Sequence, residues 1–219
     1  MRFAVTSLLF ASVIASAHAA PLLTASVTRE SQVIGNDGVT RSSVFQERIY
    51  RDANNIWIER VLPKHHQHGH KEKGEDDHHH LDLSEAAQHY FIDNKKVAKL
   101  NLVLQEDKTV VHLQDADVEM LGLSSCWTCV YSLIDPKSLK GMKVSKRANG
   151  ITWYETQNAK NKVKIEWDDK NNMARVIDIR GVNGLSYSIV KANIQPVNIT
   201  APWTTYGKFS SKDYSDFGD

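Results

Sequence analysis

The chain has 219 residues, 27 of them Lys or Arg and 26 Asp or Glu, for a formal net charge of +1 with its ten histidines neutral. Interleaved charges that nearly cancel argue against a nucleic-acid face, and this length fills one substantial core without demanding two. Beyond the N-terminal leader no apolar run is long enough to span a bilayer, so no transmembrane segment is expected in the mature chain.

Met1-Arg2 is a short positive end, Phe3 to Ala15 is apolar, and Ala17-His18-Ala19 satisfies the small-x-small rule for a signal peptidase. These features predict a signal peptide over residues 1–19 and an exported product, periplasmic or, as the alternative, secreted. Residues 20–200 are expected to form a single domain, with an extended C-terminal tail over 201–219.

Leu22 to Ile34 alternates roughly, Gly35-Asn36-Asp37-Gly38 is a hairpin turn, and Val39 to Arg51 is a second strand. Ile56 to Leu62 is a third. It is apolar on both parities, Ile56, Ile58 and Leu62 against Trp57 and Val61, so one side is expected to pack on a helix or to line a cavity.

Past Pro63 comes an insertion over residues 63–81, the histidine-rich stretch that sets this chain apart. From His65 to His80, seven imidazoles and four carboxylates fall within sixteen residues, with no apolar side chain among them. His65, His66, His68, His70, His78, His79 and His80 are candidate ligands, with Asp76 and Asp77 as added oxygen donors. Imidazole suits Zn, Cu or Ni, and the irregular spacing points to a surface buffer for several ions more than to a stiff catalytic centre. The competing reading is a solvated insertion with incidental affinity for metal.

After the insertion, Asp82 or Ser84 could cap a short helix that groups Ala86, Ala87, Tyr90 and Phe91. Val97 to Gln105 and Thr109 to Gln114 read as a hairpin, and Asp115 to Leu123 as a second short helix. His89 and His112 are expected to pack rather than to ligate. Cys126 and Cys129, the only cysteines, flank Trp127-Thr128. A structural disulfide is the expectation for this pair, with metal binding together with the histidines, redox exchange and inert thiols as the alternatives. Further on, Met142 to Arg147, Ile151 to Glu155, Lys162 to Trp167, Ala174 to Ile179 and Leu185 to Ala192 are strands of an antiparallel meander. Val163, Ile165 and Trp167 alternate there with Lys164 and Glu166.

Long strands, short inserted helices and a closing run of hairpins with ITWYE and KVKIEWDDKNNMARVIDIR resemble the periplasmic lipoprotein-carrier (LolA/LolB-like) superfamily. The resemblance implies an α+β, mainly antiparallel β fold: a curved, unclosed half-barrel with short helices on or over its concave side. It also implies non-catalytic binding of a hydrophobic ligand or an envelope protein partner. Candidate cavity-lining residues are Phe45, Trp57, Ile58, Trp153, Ile165, Trp167 and Tyr187. No phosphate loop, nucleophile elbow or HExxH motif is present, and neither an enzymatic activity nor an organic cofactor is expected. A periplasmic metal buffer or metallochaperone, and an assembly factor of an envelope complex, are the alternative functions.

Overall fold

A computed structural model describes residues 22–62, 83, 85–196 and 199–217. Two long strands, β1 (Leu23–Ile34) and β2 (Thr40–Arg51), open the fold, paired from Leu23↔Arg51 to Ile34↔Thr40. The sheet then grows outward from β2 through β3 (Asn55–Val61), β4 (Ala87–Ile92), β5 (Ala98–Leu104) and β6 (Thr109–Leu113). Two helices, α1 (Asp115–Met120) and α2 (Trp127–Ser132), and a 3-10 turn at Pro136–Gly141 carry the chain to the far edge. From there β7 (Lys143–Ala148), β8 (Ile151–Gln157), β9 (Asn161–Asp168), β10 (Met173–Gly181) and β11 (Ser186–Pro196) step back until β11 pairs with β1. A last strand, β12 (Ser210–Asp213), lies parallel to β6.

The strand order is β12-β6-β5-β4-β3-β2-β1-β11-β10-β9-β8-β7. This corrects the expected curved half-barrel: the chain forms one open twelve-stranded sheet, neither closed nor strongly curled. Tight coiling of an antiparallel sheet is built with bulges and kinks. The described ladders shift register at Ala174/Val176 and at Val144/Lys146, both in the C-terminal limb. The mainly antiparallel composition and the short helices are as expected; the helices lie on one face of an open sheet.

That face carries the main core. Val27, Ile49, Ile56, Leu102, Val111, Ile165 and Met173 are buried there, joined by Val118 of α1, Val130 of α2 and Leu139 of the 3-10 turn. Each large apolar side chain fully withdrawn from water contributes about 1.5–3 kcal/mol, which is why helices too short to stand alone persist here. Local chemistry sets their ends. Gln114 N–H donates to Asp117 Oδ2 (2.7 Å) at the start of α1, and Leu133 stops α2 in the left-handed region at φ 65°. Between β7 and β8 the two-residue turn Asn149-Gly150 takes φ of 53° and 73°, the twist that a tight hairpin requires and that glycine accepts without strain.

Residues 87–92 form β4, not the expected helix. The spacing of Ala86, Ala87, Tyr90 and Phe91 imitates a helical stripe because this strand is covered on both faces: Tyr90 enters the main core, while Ala87 and His89 are buried on the opposite side.

Candidate functional site

The opposite face of β2 to β5 holds a second apolar cluster of Tyr50, Trp57, Ala87 and Val103, packed against Leu22, Trp203, Tyr206 and Phe209. Alternation explains the two-sided character of β3: Ile56 and Ile58 point into the main core, and Trp57 points away from it. The Ile56 and Ile58 side shares its core with the helices, as expected, and Trp57 is covered by the C-terminal segment, which includes a 3-10 turn at Pro202–Thr204. Trp203, Tyr206 and Phe209 recur every third residue along it, and the Tyr206 ring stacks on Trp57 with centroids 6.0 Å apart. The sequence predicts only an extended tail over 201–219, yet this segment supplies both that cover and β12.

His89 sits at the centre of this arrangement, 4% exposed. Its ring lies parallel to Trp203 (5.9 Å, 1°), with Phe91 at 5.2 Å and Trp57 at 5.9 Å. Nε2 is 3.1 Å from Asn55 Oδ1, and Nδ1 is hydrogen-bonded to the Tyr206 hydroxyl. Burial depresses the His89 pKa to about 4; the Asp52 carboxylate pulls the other way and is the weaker influence. His112 on β6 reaches Asn101 Oδ1 (2.9 Å) through Nδ1 and Ser211 Oγ (2.7 Å) through Nε2. Both histidines therefore pack, as their apolar neighbours in sequence suggested, and both hold the C-terminal segment.

The histidine-rich insertion joins β3 to β4, neighbouring antiparallel strands with Ile58 opposite Gln88. Its candidate ligands His65, His66, His68, His70, Asp76, Asp77, His78, His79 and His80 lie outside the described residues, as do residues 1–19, where a signal peptide is expected. Where the chain enters and leaves it, a cavity of about 370 Å³ is lined by Leu62, Glu85, Ala86, Glu106 and Asp107, among others. Among the described residues no group of three or more His, Cys, Asp or Glu side chains is arranged to hold a metal.

The candidate cavity residues divide between the two faces of the sheet. Ile58, Ile165 and Trp167 belong to the main core, and Phe45 shares their face, lying under the Arg60 guanidinium at 5.2 Å. Trp57 faces the other way under the C-terminal segment. Trp153 and Tyr187 share that outer side in the C-terminal limb, Trp153 beneath the Lys146 ammonium (4.9 Å) and Tyr187 donating to Glu30 Oε1 (2.6 Å). No single cavity collects these seven residues.

Cys126 and Cys129 form a disulfide at the start of α2 (S–S 2.01 Å), and Cys126 Sγ accepts the Cys129 N–H at 3.2 Å. Behind α2 lies a residue that the sequence did not single out. Arg51, 2% exposed, places its guanidinium 3.8 Å from the centre of the Tyr131 ring and donates to the carbonyl oxygens of Tyr131 and Asn171. Its Nε has no hydrogen-bond partner, and burial lowers its pKa.

No protein-family model matches the chain, and no curated protein matches it. Solved structures overlap it at low identity. PNGF-II gives a TM-score of 0.40 at 9% identity over 90% of this chain, which spans only 32% of that one. An uncharacterized conserved protein from Thermus thermophilus gives 0.43 at 9% identity, covering 89% of this chain and 91% of that one. A LolA superfamily protein from Nitrosomonas europaea gives 0.33 at 9% identity over 86% and 90%. At these values the overlaps assign neither a family nor an activity.

Proposed function

We propose that the chain is an exported, non-enzymatic binding protein, in which a filled β-sheet scaffold presents the histidine-rich insertion as a site for Zn, Cu or Ni and engages an envelope protein partner. The observation that carries this reading is where the insertion is rooted. It leaves β3 and returns on β4, adjacent strands, so both histidine clusters are tethered to one end of the sheet. Glu85, Glu106 and Asp107 line the cavity at that root and add oxygen donors and negative charge on the approach of a cation.

A protein partner is favoured over a carried lipid because both faces of β3 are filled by the chain itself, Ile56 and Ile58 on one side and Trp57 on the other. The same filling favours metal buffering as the second reading, with the sheet serving as support. Isothermal titration of Zn, Cu and Ni into tag-free mature protein, beside a variant lacking residues 65–80, tests the assignment. Tight stoichiometric uptake abolished by the deletion is expected; equal weak uptake by both proteins overturns it.

A further inference from the structure

The polar groups of the outer face form one directional chain. Asn55 Nδ2 donates to Asp52 Oδ1 (3.0 Å), which turns Asn55 Oδ1 toward His89 Nε2. An amide oxygen can only accept, so Nε2 carries the ring proton and Nδ1 is left as an acceptor. The Tyr206 hydroxyl must then be the donor to Nδ1. Burial raises the Tyr206 pKa and the neighbouring Asn101 side chain opposes it, as an amide N–H directed at the phenolic oxygen would. Asn101 Oδ1 accepts from His112 Nδ1, which leaves His112 Nε2 to accept from the Ser211 hydroxyl. From Ser211 to the Asp52 carboxylate, every donor points the same way. Two links, Tyr206 and Ser211, belong to the C-terminal segment; the others belong to β3 to β6 and the turn before β3.

We propose that residues 201–213 are an acid-released strap, seated on the outer face while His89 is neutral and detached when His89 takes a second proton, uncovering Trp57, Phe91 and the edge of β6. Protonation at Nδ1 removes the acceptor that Tyr206 uses. The hydroxyl proton and the new N–H would then face one another, and the Tyr206 hydroxyl must turn away from His89. The groups around His89 do little to hold a cation. Trp57 on β3, Phe91 on β4 and Trp203 and Tyr206 on the strap present rings, whose attraction for a desolvated cation offsets only part of the cost of burying one. Asn55, Asn101 and, through Asn101, His112 are neutral amides and an imidazole. Asp52 is one residue removed, behind Asn55. Glu59 is engaged by Arg48, Tyr50 and Trp57 Nε1, and Lys99, opposite Phe91, opposes a second positive charge. Beside this chain the strap is held by the parallel β12–β6 ladder, by Ser210 on the Lys108 carbonyl and Thr109 Oγ1, and by Trp203, Tyr206 and Phe209 packed half-buried on the outer cluster, while every residue of β12 stays exposed. Such a segment opens at a lower free energy than the sheet beneath it.

Amide hydrogen exchange of the full mature chain between pH 7.5 and 4, corrected for intrinsic rates, tests the strap. Its opening constant is expected to rise about tenfold per pH unit on acidification below about pH 6.5, while β8 to β10 stay protected. His89→Gln, which cannot titrate, is expected to flatten that response. Simultaneous loss of protection in the strap and in β8 to β10, or an undiminished acid response in His89→Gln, overturns the proposal. Tyr206→Phe keeps the ring and deletes the bond donated to His89. It is expected to weaken strap protection at pH 7.5 and to blunt the acid response; wild-type behaviour in this variant also overturns the proposal.

Discussion

Arg51 of β2 and Tyr131 of α2, 80 residues apart, are joined twice: the guanidinium lies over the phenol ring, and its Nη1 donates to the Tyr131 backbone carbonyl. With Nη2 on the Asn171 carbonyl, one side chain ties together a strand, a helix and the β9–β10 turn. Arg51→Ala leaves two carbonyls without this donor and a void beneath the ring. A loss of about 3 kcal/mol is expected, read as a lower urea midpoint with an unchanged slope. Arg51→Lys keeps the charge but not the forked reach, and is expected to recover only part of that loss.

Trp57 is 1% exposed and donates through Nε1 to Glu59 Oε2 (3.2 Å). Trp57→Ala should cost about 3–5 kcal/mol in equilibrium unfolding. Trp57→Phe should cost less, because it keeps an aromatic face for Tyr206.

The pH dependence of stability follows from His89. Its folded pKa of about 4 lies below the ordinary value of 6.5, so between those values the unfolded chain binds the extra proton and folding loses ground as pH falls. The contribution is fully present above pH 6.5 and is lost on the way down to pH 4. The shift corresponds to about 3 kcal/mol. Urea midpoints across this window, compared with those of His89→Gln, are expected to show a shallower decline in the variant.

Reducing the Cys126–Cys129 disulfide releases a very short loop. The chain-entropy relation gives a stabilisation of about 2 kcal/mol for so small a closure, confined to the start of α2. Hydrogen exchange after reduction is expected to rise at Trp127–Ser132 while β8 to β10 remain protected.

The C-terminal meander was legible because Val163, Ile165 and Trp167 alternate with polar neighbours over one wet and one dry face, and because Asn149-Gly150 can hardly be anything but a turn. Strand β4 was not: apolar cover on both sides erases alternation, and the residual spacing of its side chains looks helical. Nor was β12, whose Ser-Ser-Lys-Asp has no period and pairs with a strand about a hundred residues earlier. The polar chain across the outer face was hidden for a related reason. Asn55, His89, Asn101 and His112 stand on four different strands and Tyr206 and Ser211 on the C-terminal segment, and nothing local to any of them announces the others. A histidine among apolar neighbours was the one trace, and it pointed correctly to packing.

The central position of β1 also fixes when the sheet can be completed. One edge of β1 pairs with β2 a few residues on, but the other pairs with β11, from Leu23↔Pro196 to Val33↔Ser186. The first hairpin therefore keeps an open, partly apolar edge until β11 is available to pair. Loop closure over such a span delays the nucleus, and an unpaired edge invites wrong partners in the meantime. Folding in milliseconds to seconds, sensitive to chain concentration, is the kinetic signature this topology imposes.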